Sequence, residues 1–199
     1  QKAFWLLLCG CGVGLGFTRK FTSRFPKLVN YKQAHQTTYV IPDTIEGWAD
    51  SVRVLIDSFT EGNEHSGKSF NFDYSQIREK GLPLSIGGKA PGSEGLREGH
   101  GKIEEVISNR LFMGFNTLRS VDLYDIMMHC SDAVLSGGIR RSATLALFDL
   151  DDEDMMNAKT GEWYINNPQR KRSNNSVMLN RSTMTEESFK DIFNKTKQF

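Results

Sequence analysis

The sequence has little of what marks a secreted or a membrane-spanning protein. Only three cysteines occur in 199 residues, Cys9, Cys11 and Cys130, and their odd number and uneven spacing argue against a disulfide framework. No apolar run approaches the ~20 residues that a membrane-spanning helix needs. The short apolar run at residues 2–8 lacks the small residue that precedes a processed cysteine, so we interpret it as a buried helix. These absences predict a cytoplasmic protein with reduced thiols.

An excess of charge of one sign is also missing. The chain has 25 basic and 24 acidic residues, and its formal net charge is +1. This balance gives no electrostatic attraction to nucleic acid or to an anionic membrane, and we expect neither as a partner. Basic residues cluster only locally, at Arg140 and Arg141 and in the stretch QRKR at residues 169–172.

Complete catalytic and metal-binding sets are absent from the sequence as well. The four histidines show no HExxH-like spacing, and no G-x-S-x-G nucleophile motif occurs. No second Cys/His pair at zinc-finger spacing follows Cys9 and Cys11. We therefore assign no catalytic residue and no metal ligand within the chain.

The stretch GNEHSGKS at residues 62–69 matches the phosphate-binding pattern G-x-x-x-x-G-K-[ST]. A functional loop of this kind leaves a buried strand and opens into a helix, whose N-terminus stabilises the phosphates. Here residues 43–59 have apolar residues at helical spacing, with a cap at Asp43 or Thr44 and a capping-box residue, Glu46. The following SFNFDY alternates like a strand. We interpret the match as a polar connection from a helix to a strand.

Helical and strand patterns alternate along the rest of the chain, which indicates an α/β protein. Helices are predicted over residues 2–8, 101–114, 119–135 and 183–197, with a helix start in the acidic segment 149–154, and strands over 37–43, 69–74, 143–148 and 177–179. The nearly continuous apolar run ATLALF at 143–148 predicts a strand of a parallel sheet that is buried on both faces. Glycine-rich residues 86–101 predict an irregular loop.

Three polar or glycine-rich segments flank the predicted strands: GCGVGLGF, SGGIRRS and RSNNS. Each alone is typical of something simpler, a helix cap, a solvated arginine pair or a turn. Together at element ends they favour a phosphorylated ligand, because guanidinium groups bind phosphate and hydroxyl and amide groups bind sugars. The candidate nucleotide-binding residues are Gly12, Gly14, Ser136, Gly137, Gly138, Arg140, Arg141, Ser173, Asn174, Asn175 and Ser176.

Four longer motifs contain these segments: CGCGVGLGF, FDYSQIREKGLPLSIGGKAPGSEGL, CSDAVLSGGIRRSATLALFD and QRKRSNNSVML. In this order they resemble the ribonucleotide reductases, most closely the adenosylcobalamin-dependent (class II) ribonucleoside-triphosphate reductases. The resemblance implies roughly the first half of a ten-stranded α/β barrel. It also implies that residues 1–199 are one partial catalytic barrel domain, a fragment cut at both ends.

The resemblance further implies reduction of ribonucleotides to 2′-deoxyribonucleotides, the precursors of DNA, by a thiyl radical that adenosylcobalamin initiates. The implied partners are a ribonucleotide substrate, a deoxynucleotide effector and a thioredoxin-type reductant. Residues 136–141 match the loop that reports the effector to the substrate base, and residues 173–176 match a segment that supports the substrate cavity. The family's radical cysteine lies in an Asn-x-Cys-x-Glu motif, and this motif does not occur in the chain. We expect the fragment alone to be inactive.

Two other functions fit the same residues. Class I ribonucleotide reductases have the same barrel and take their radical from a separate metal-containing subunit. A non-catalytic nucleotide-binding module would also use these segments, and it would bind nucleotide without turnover even when the flanking sequence is restored.

The position of the phosphate-pattern match generates a first prediction. Replacing Lys68 with Ala leaves nucleotide affinity unchanged, whereas Arg141→Ala weakens it, because phosphate recognition is assigned to the guanidinium pair. Equilibrium binding of a ribonucleoside triphosphate to both variants measures this. Loss of binding in Lys68→Ala with normal binding in Arg141→Ala would restore the P-loop interpretation.

Overall fold

In the described part of the chain, two separate parallel sheets organise the fold. The computed structural model describes residues 1–31, 36–84, 89–135 and 143–196. Its strands are β1 (Gly12–Gly16), β2 (Gln36–Val40), β3 (Ser69–Asp73), β4 (Ala143–Asp149) and β5 (Ser173–Met178). Its helices are α1 (Lys2–Leu8), α2 (Arg19–Thr22), α3 (Ile45–Ser58), α4 (Glu94–Phe112), α5 (Ser120–Leu135), α6 (Glu153–Met156), α7 (Trp163–Asn166) and α8 (Glu186–Thr196), with a 3-10 helix at Pro168–Arg172. Helices at the predicted places confirm the α/β interpretation. No helix among the described residues is long and apolar enough to cross a membrane.

The first sheet has the order β1-β4-β5, and all of its pairings are parallel. Thr144, Ala146 and Phe148 of the central strand are buried, whereas Ala143 and Leu145 are exposed. The parallel pairing was predicted, but burial of β4 on both faces is wrong. Helices cover only one face of this sheet in the described part of the chain, and the alternation of side chains leaves the other face open.

The second sheet pairs β2 with β3 in parallel, and α3 connects the two strands. Thr44 caps this helix, because its Oγ1 accepts a hydrogen bond of 2.9 Å from the amide of Gly47. The predicted capping box does not form: Glu46 instead accepts a hydrogen bond of 3.3 Å from the indole of Trp5. The order helix, loop, strand is confirmed around GNEHSGKS, and Lys68 in this connection is partly buried.

The glycine-rich segment is not a loop throughout. Residues 86–88 lie outside the described residues, but α4 begins at Glu94, so the prediction is wrong for the second half. A Cβ on Gly99 would lie 3.4 Å from the Cβ of Ala133 in α5, so this glycine permits close packing of the two helices. Leu96 and Ile103 are fully buried on the same helix. Tertiary packing of the apolar face therefore offsets the low helix propensity of glycine.

The core has two parts. The larger one joins α1, α3, α4 and α5 and contains the buried Cys130, whose thiol pKa is raised to about 12 by burial. The smaller one lies between α5, α6 and the first sheet and contains Tyr124, Met128, Phe148 and Met155. Cys130 therefore packs in the core, whereas Cys9 and Cys11 are exposed.

A polar group is buried within the larger core. The ring of His100 is 4% exposed, and its Nε2 lies 3.0 Å from Ser51 Oγ while its Nδ1 lies 2.7 Å from the Tyr74 hydroxyl. Ser51 donates its own hydrogen to the carbonyl of Trp48 at 2.8 Å, so it accepts from His100. The Tyr74 hydroxyl in turn donates to Nδ1. His100 is therefore neutral, and burial lowers its pKa to about 3.

This neutral histidine generates a prediction for acid stability. The unfolded chain binds a proton at His100 below its ordinary pKa of about 6.5, whereas the folded chain binds one only near 3. The free energy of unfolding therefore decreases as the pH falls, by about 1.4 kcal/mol between pH 7.5 and 5.5 from this residue alone. Urea unfolding at both pH values measures the difference.

The control is His100→Gln, which removes the titrating ring. This variant is less stable at pH 7.5, but it loses about 1.4 kcal/mol less than the parent protein between the two pH values. An unchanged pH-dependent loss in His100→Gln would contradict the assignment.

Candidate functional site

A cleft of about 460 Å³ opens against the first sheet. It lies at the amino ends of the three strands and is lined by Gly12, Val13, Gly14, Ala143, Thr144, Leu145, Lys171, Arg172, Ser173 and Asn174. Gly14 pairs with Leu145, and Leu145 pairs with Asn174, so these three residues stand side by side on one face. The structure thus brings together candidate residues from the first and the last of the three predicted segments.

Gly12 and Gly14 have no side chains that project from this face of the sheet. A Cβ added to Gly14 would meet nothing within 4 Å, and one added to Gly12 would make only ordinary contacts of 3.8 Å with Ala143. Packing within the described residues therefore does not require glycine at either position. The effect of the missing side chains is to leave room for a ligand directly against the strand backbone.

The four candidate residues at positions 173–176 do not share one face. The sequence suggested a polar loop, but they form the beginning of β5, where alternate side chains point to opposite faces. Asn174 and Ser176 share the open face with Leu145 and Leu147, their partners in register. Ser173 and Asn175 belong to the covered face, beneath α5.

Tyr124 holds the covered side of β5 in place. Its hydroxyl lies 2.9 Å from Ser173 Oγ, 3.1 Å from Asn175 Oδ1 and 3.3 Å from the carbonyl oxygen of Arg170. The side chain is fully buried, and burial raises the pKa of this phenol, so it remains neutral. Sequence reasoning missed Tyr124, although its position beside the apolar stripe of α5 was a visible signal.

Ion pairs anchor the segment that precedes β5. Asp125 forms a two-pronged pair with Arg170, with contacts of 2.6 and 2.8 Å, and also accepts from Gln169 at 3.0 Å. The side chains of Arg170 and Asp125 are only 13% and 11% exposed. Lys159 donates to the carbonyl of Ser173, and burial, followed by the charge of Arg170, lowers the pKa of this lysine. The start of β5 is therefore fixed by buried polar contacts.

The middle candidate segment lies outside the described residues. This applies to Ser136, Gly137, Gly138, Arg140 and Arg141. The chain leaves α5 before this segment and returns in β4, whose first three residues line the cleft. The assignment of these five residues stays a prediction.

These features define a class: an α/β protein with an open parallel sheet face and a cleft in the size range of small-molecule sites. Residues 24–107 match the family model described as "B12-dependent ribonucleotide reductase, insertion domain". This match contains β2, α3 and β3, whereas the three strands that line the cleft lie outside it. The second sheet thus falls within the insertion-domain match, and the cleft does not.

Proteins similar to this chain are also named as cobalamin-dependent reductases of ribonucleotides. The chain is 35% identical over 145 residues to a "Probable adenosylcobalamin-dependent ribonucleoside-triphosphate reductase" of Dictyostelium discoideum, covering 70% of this chain and 18% of that protein. It is 35% identical over 150 residues to the "Adenosylcobalamin-dependent ribonucleoside-triphosphate reductase" of Lactobacillus delbrueckii subsp. bulgaricus, covering 74% of this chain and 20% of that protein. A crystal structure of a B-12 dependent (class II) ribonucleotide reductase matches 90% of this chain and 28% of its own, with a TM-score of 0.75 and 26% identity.

The chain is thus similar to the adenosylcobalamin-dependent, class II ribonucleotide reductases, which confirms the resemblance seen in its motifs. Its α/β fold with parallel sheets is similar to that of the class II enzyme. The chain spans about a fifth of the length of these two curated relatives.

The contacts of Tyr124 generate a prediction about the frame of the cleft. Tyr124→Phe retains the ring, which packs edge-on against Phe17 at 5.6 Å, but removes the hydroxyl from Ser173 and Asn175. The free energy of unfolding should fall by about 1 to 2 kcal/mol, because buried polar groups lose a partner. Tyr164→Phe is the matched control, since Tyr164 is 61% exposed and its hydroxyl has no partner among the described residues. Equal stability of the two variants in urea would contradict the role of the hydroxyl.

Proposed function

We propose that the protein is an adenosylcobalamin-dependent ribonucleotide reductase, and that the open face of the β1-β4-β5 sheet forms part of the wall of its nucleotide cavity. The observation that carries the proposal is the alignment of Gly14, Leu145 and Asn174 across three parallel strands, facing a cleft of about 460 Å³. The names of the relatives supply the reaction, and the cleft supplies a place for a mononucleotide.

The same sheet supports a larger barrel. Among the described residues, β1 and β5 each pair on one side only, so both edges of the sheet can accept a further strand. The side chains on the open face are mostly small or apolar, which suits the interior of a closed sheet. We infer that residues 1–199 contribute to one catalytic barrel domain, roughly the first half of ten strands. The insertion-like residues 24–107 would then lie between its first and second strands.

The candidate residues have different parts in this proposal. Gly12 and Gly14 admit the nucleotide to the strand backbone, and Asn174 and Ser176 offer an amide and a hydroxyl on the same face. Ser173 and Asn175 hold β5 through Tyr124. The segment 136–141 connects an effector deoxynucleotide to the substrate, and a thioredoxin-type protein supplies the electrons.

The cofactor does not fit the described cleft. Adenosylcobalamin supplies a radical when it is bound, but its corrin ring with the attached nucleotide is several times larger than a mononucleotide. A cleft of about 460 Å³ matches the smaller ligand. The chain also lacks an Asn-x-Cys-x-Glu sequence that would hold a radical cysteine. The residues of this chain therefore bind and orient the nucleotide, and we derive no radical step from them.

A second candidate is a nucleotide-binding module without turnover, which the cleft alone would also support. The class I alternative has less support, because the relatives reported above are named for adenosylcobalamin. The two remaining functions differ in product formation, since only the reductase converts a ribonucleotide to a deoxyribonucleotide.

A side chain placed in the cleft tests the proposal. Gly14→Leu should leave the fold intact, because a Cβ there meets nothing within 4 Å, but it should obstruct the nucleotide. We expect ribonucleotide reduction to fall about 100-fold or more, the size of effect that a misplaced substrate produces. Because residues 1–199 alone are expected to be inactive, the assay uses them within the complete catalytic barrel. It measures deoxyribonucleotide formation from each ribonucleoside di- and triphosphate, with adenosylcobalamin and a dithiol reductant present.

The matched control is Gly101→Leu, which adds the same side chain at an open, exposed position of α4. This variant should keep the activity of the unmodified protein. Equal activity of Gly14→Leu and Gly101→Leu would exclude the open sheet face from the nucleotide site. Nucleotide binding without any product in the complete barrel would instead identify the non-catalytic module.

A further inference from the structure

Four cationic side chains of the described residues surround the start of β5, and three of them already have partners. Arg170 pairs with the buried Asp125. Lys159 donates to the carbonyl of Ser173. Arg172 pairs with Asp132 of α5. Their charges are therefore neutralised or used within the fold.

Lys171 differs from these neighbours. It is exposed, it lines the cleft, and its ammonium group has no ion pair or hydrogen bond within residues 1–31, 36–84, 89–135 and 143–196. It follows Arg170, which is anchored from the covered side of the sheet. The anchoring thus holds the backbone of Lys171 at the rim of the cleft and leaves its charged end available.

The described lining of the cleft contains no helix N-terminus that could stabilise an anionic ligand, so a cationic side chain is needed for this purpose. Its described lining comes from the amino ends of three strands and from the last residues of the 3-10 helix Pro168–Arg172. No lining residue belongs to the first turn of a described helix, so no helix dipole or free helix amide stabilises an anion here. An anionic group in this cleft requires a charged side chain.

We propose that Lys171 binds a phosphate group of the nucleotide in the cleft, an assignment that rests on the proposed nucleotide site. Lys171 contacts the phosphate at the rim, while the nucleoside lies against Gly12, Gly14 and Leu145 on the sheet face. The ammonium is a compact charge on a flexible stem, which suits contact with a phosphate that extends toward solvent. The site therefore distinguishes nucleotides from nucleosides.

Substitution of Lys171 separates phosphate contact from nucleoside contact. Lys171→Gln should weaken the binding of ATP, GTP, CTP or UTP, whichever of them bind, by about tenfold, the effect of one charge-assisted hydrogen bond. The affinity for the corresponding nucleoside should not change. Lys171→Arg should restore most of the loss. Equilibrium dialysis with labelled triphosphate and labelled nucleoside measures all of these affinities in the otherwise unchanged protein.

Lys27→Gln is the matched control, because Lys27 is exposed, does not line the cleft and has the same charge. Equal losses in Lys171→Gln and Lys27→Gln, equal losses for triphosphate and nucleoside, or no loss at all would overturn the role of Lys171 while leaving the nucleotide site in place. Absence of triphosphate binding in the unmodified protein would overturn the nucleotide site and the role of Lys171 together.

Discussion

The parallel pairing of β4 with β1 on one side and β5 on the other is the constraint on which the site depends. Because side chains alternate along each strand, this register places Gly14, Leu145 and Asn174 on one face and Thr144 and Ser173 on the other. A shift of one residue in either pairing would exchange the two faces. The covered face would then lose its contacts with α5, and the glycines would no longer stand beside Leu145.

Buried polar contacts make this register specific. Tyr124 joins α5 to Ser173 and Asn175 on the covered face of β5, and Asp125 on the same helix holds Arg170 just before the strand. Each contact satisfies groups that would be costly to bury alone. His100 has a similar effect in the larger core, where Ser51 and Tyr74 fix its neutral ring. The contacts on the covered face thus fix the register of the first sheet, and this register decides which side chains lie on the open face.

Local sequence patterns predicted where helices and strands lie better than they predicted which elements pack against them. The helical spacing of residues 43–59 and the cap at Thr44 were readable, because both depend on neighbours within four positions. The helix within the glycine-rich segment could not be predicted, because the glycine at position 99 is explained only by its close approach to Ala133 in another helix. The one-sided burial of β4 was missed for the same reason, because an apolar run does not reveal how many layers cover a strand.

Residue patterns alone were enough to predict the α/β alternation, the phosphate pattern outside its functional setting and the similarity to class II ribonucleotide reductases, because each of these depends on short stretches of residues. Tertiary contacts were needed to show that residues 173–176 divide between two faces. They also show that, of the four cations near the start of β5, only Lys171 has no partner among the described residues. These properties depend on contacts between residues far apart in the chain, such as Tyr124 with Ser173 and Gly14 with Leu145. Local periodicity contains no information about such pairings, because the register and the buried partners form only when the sheet and α5 pack together.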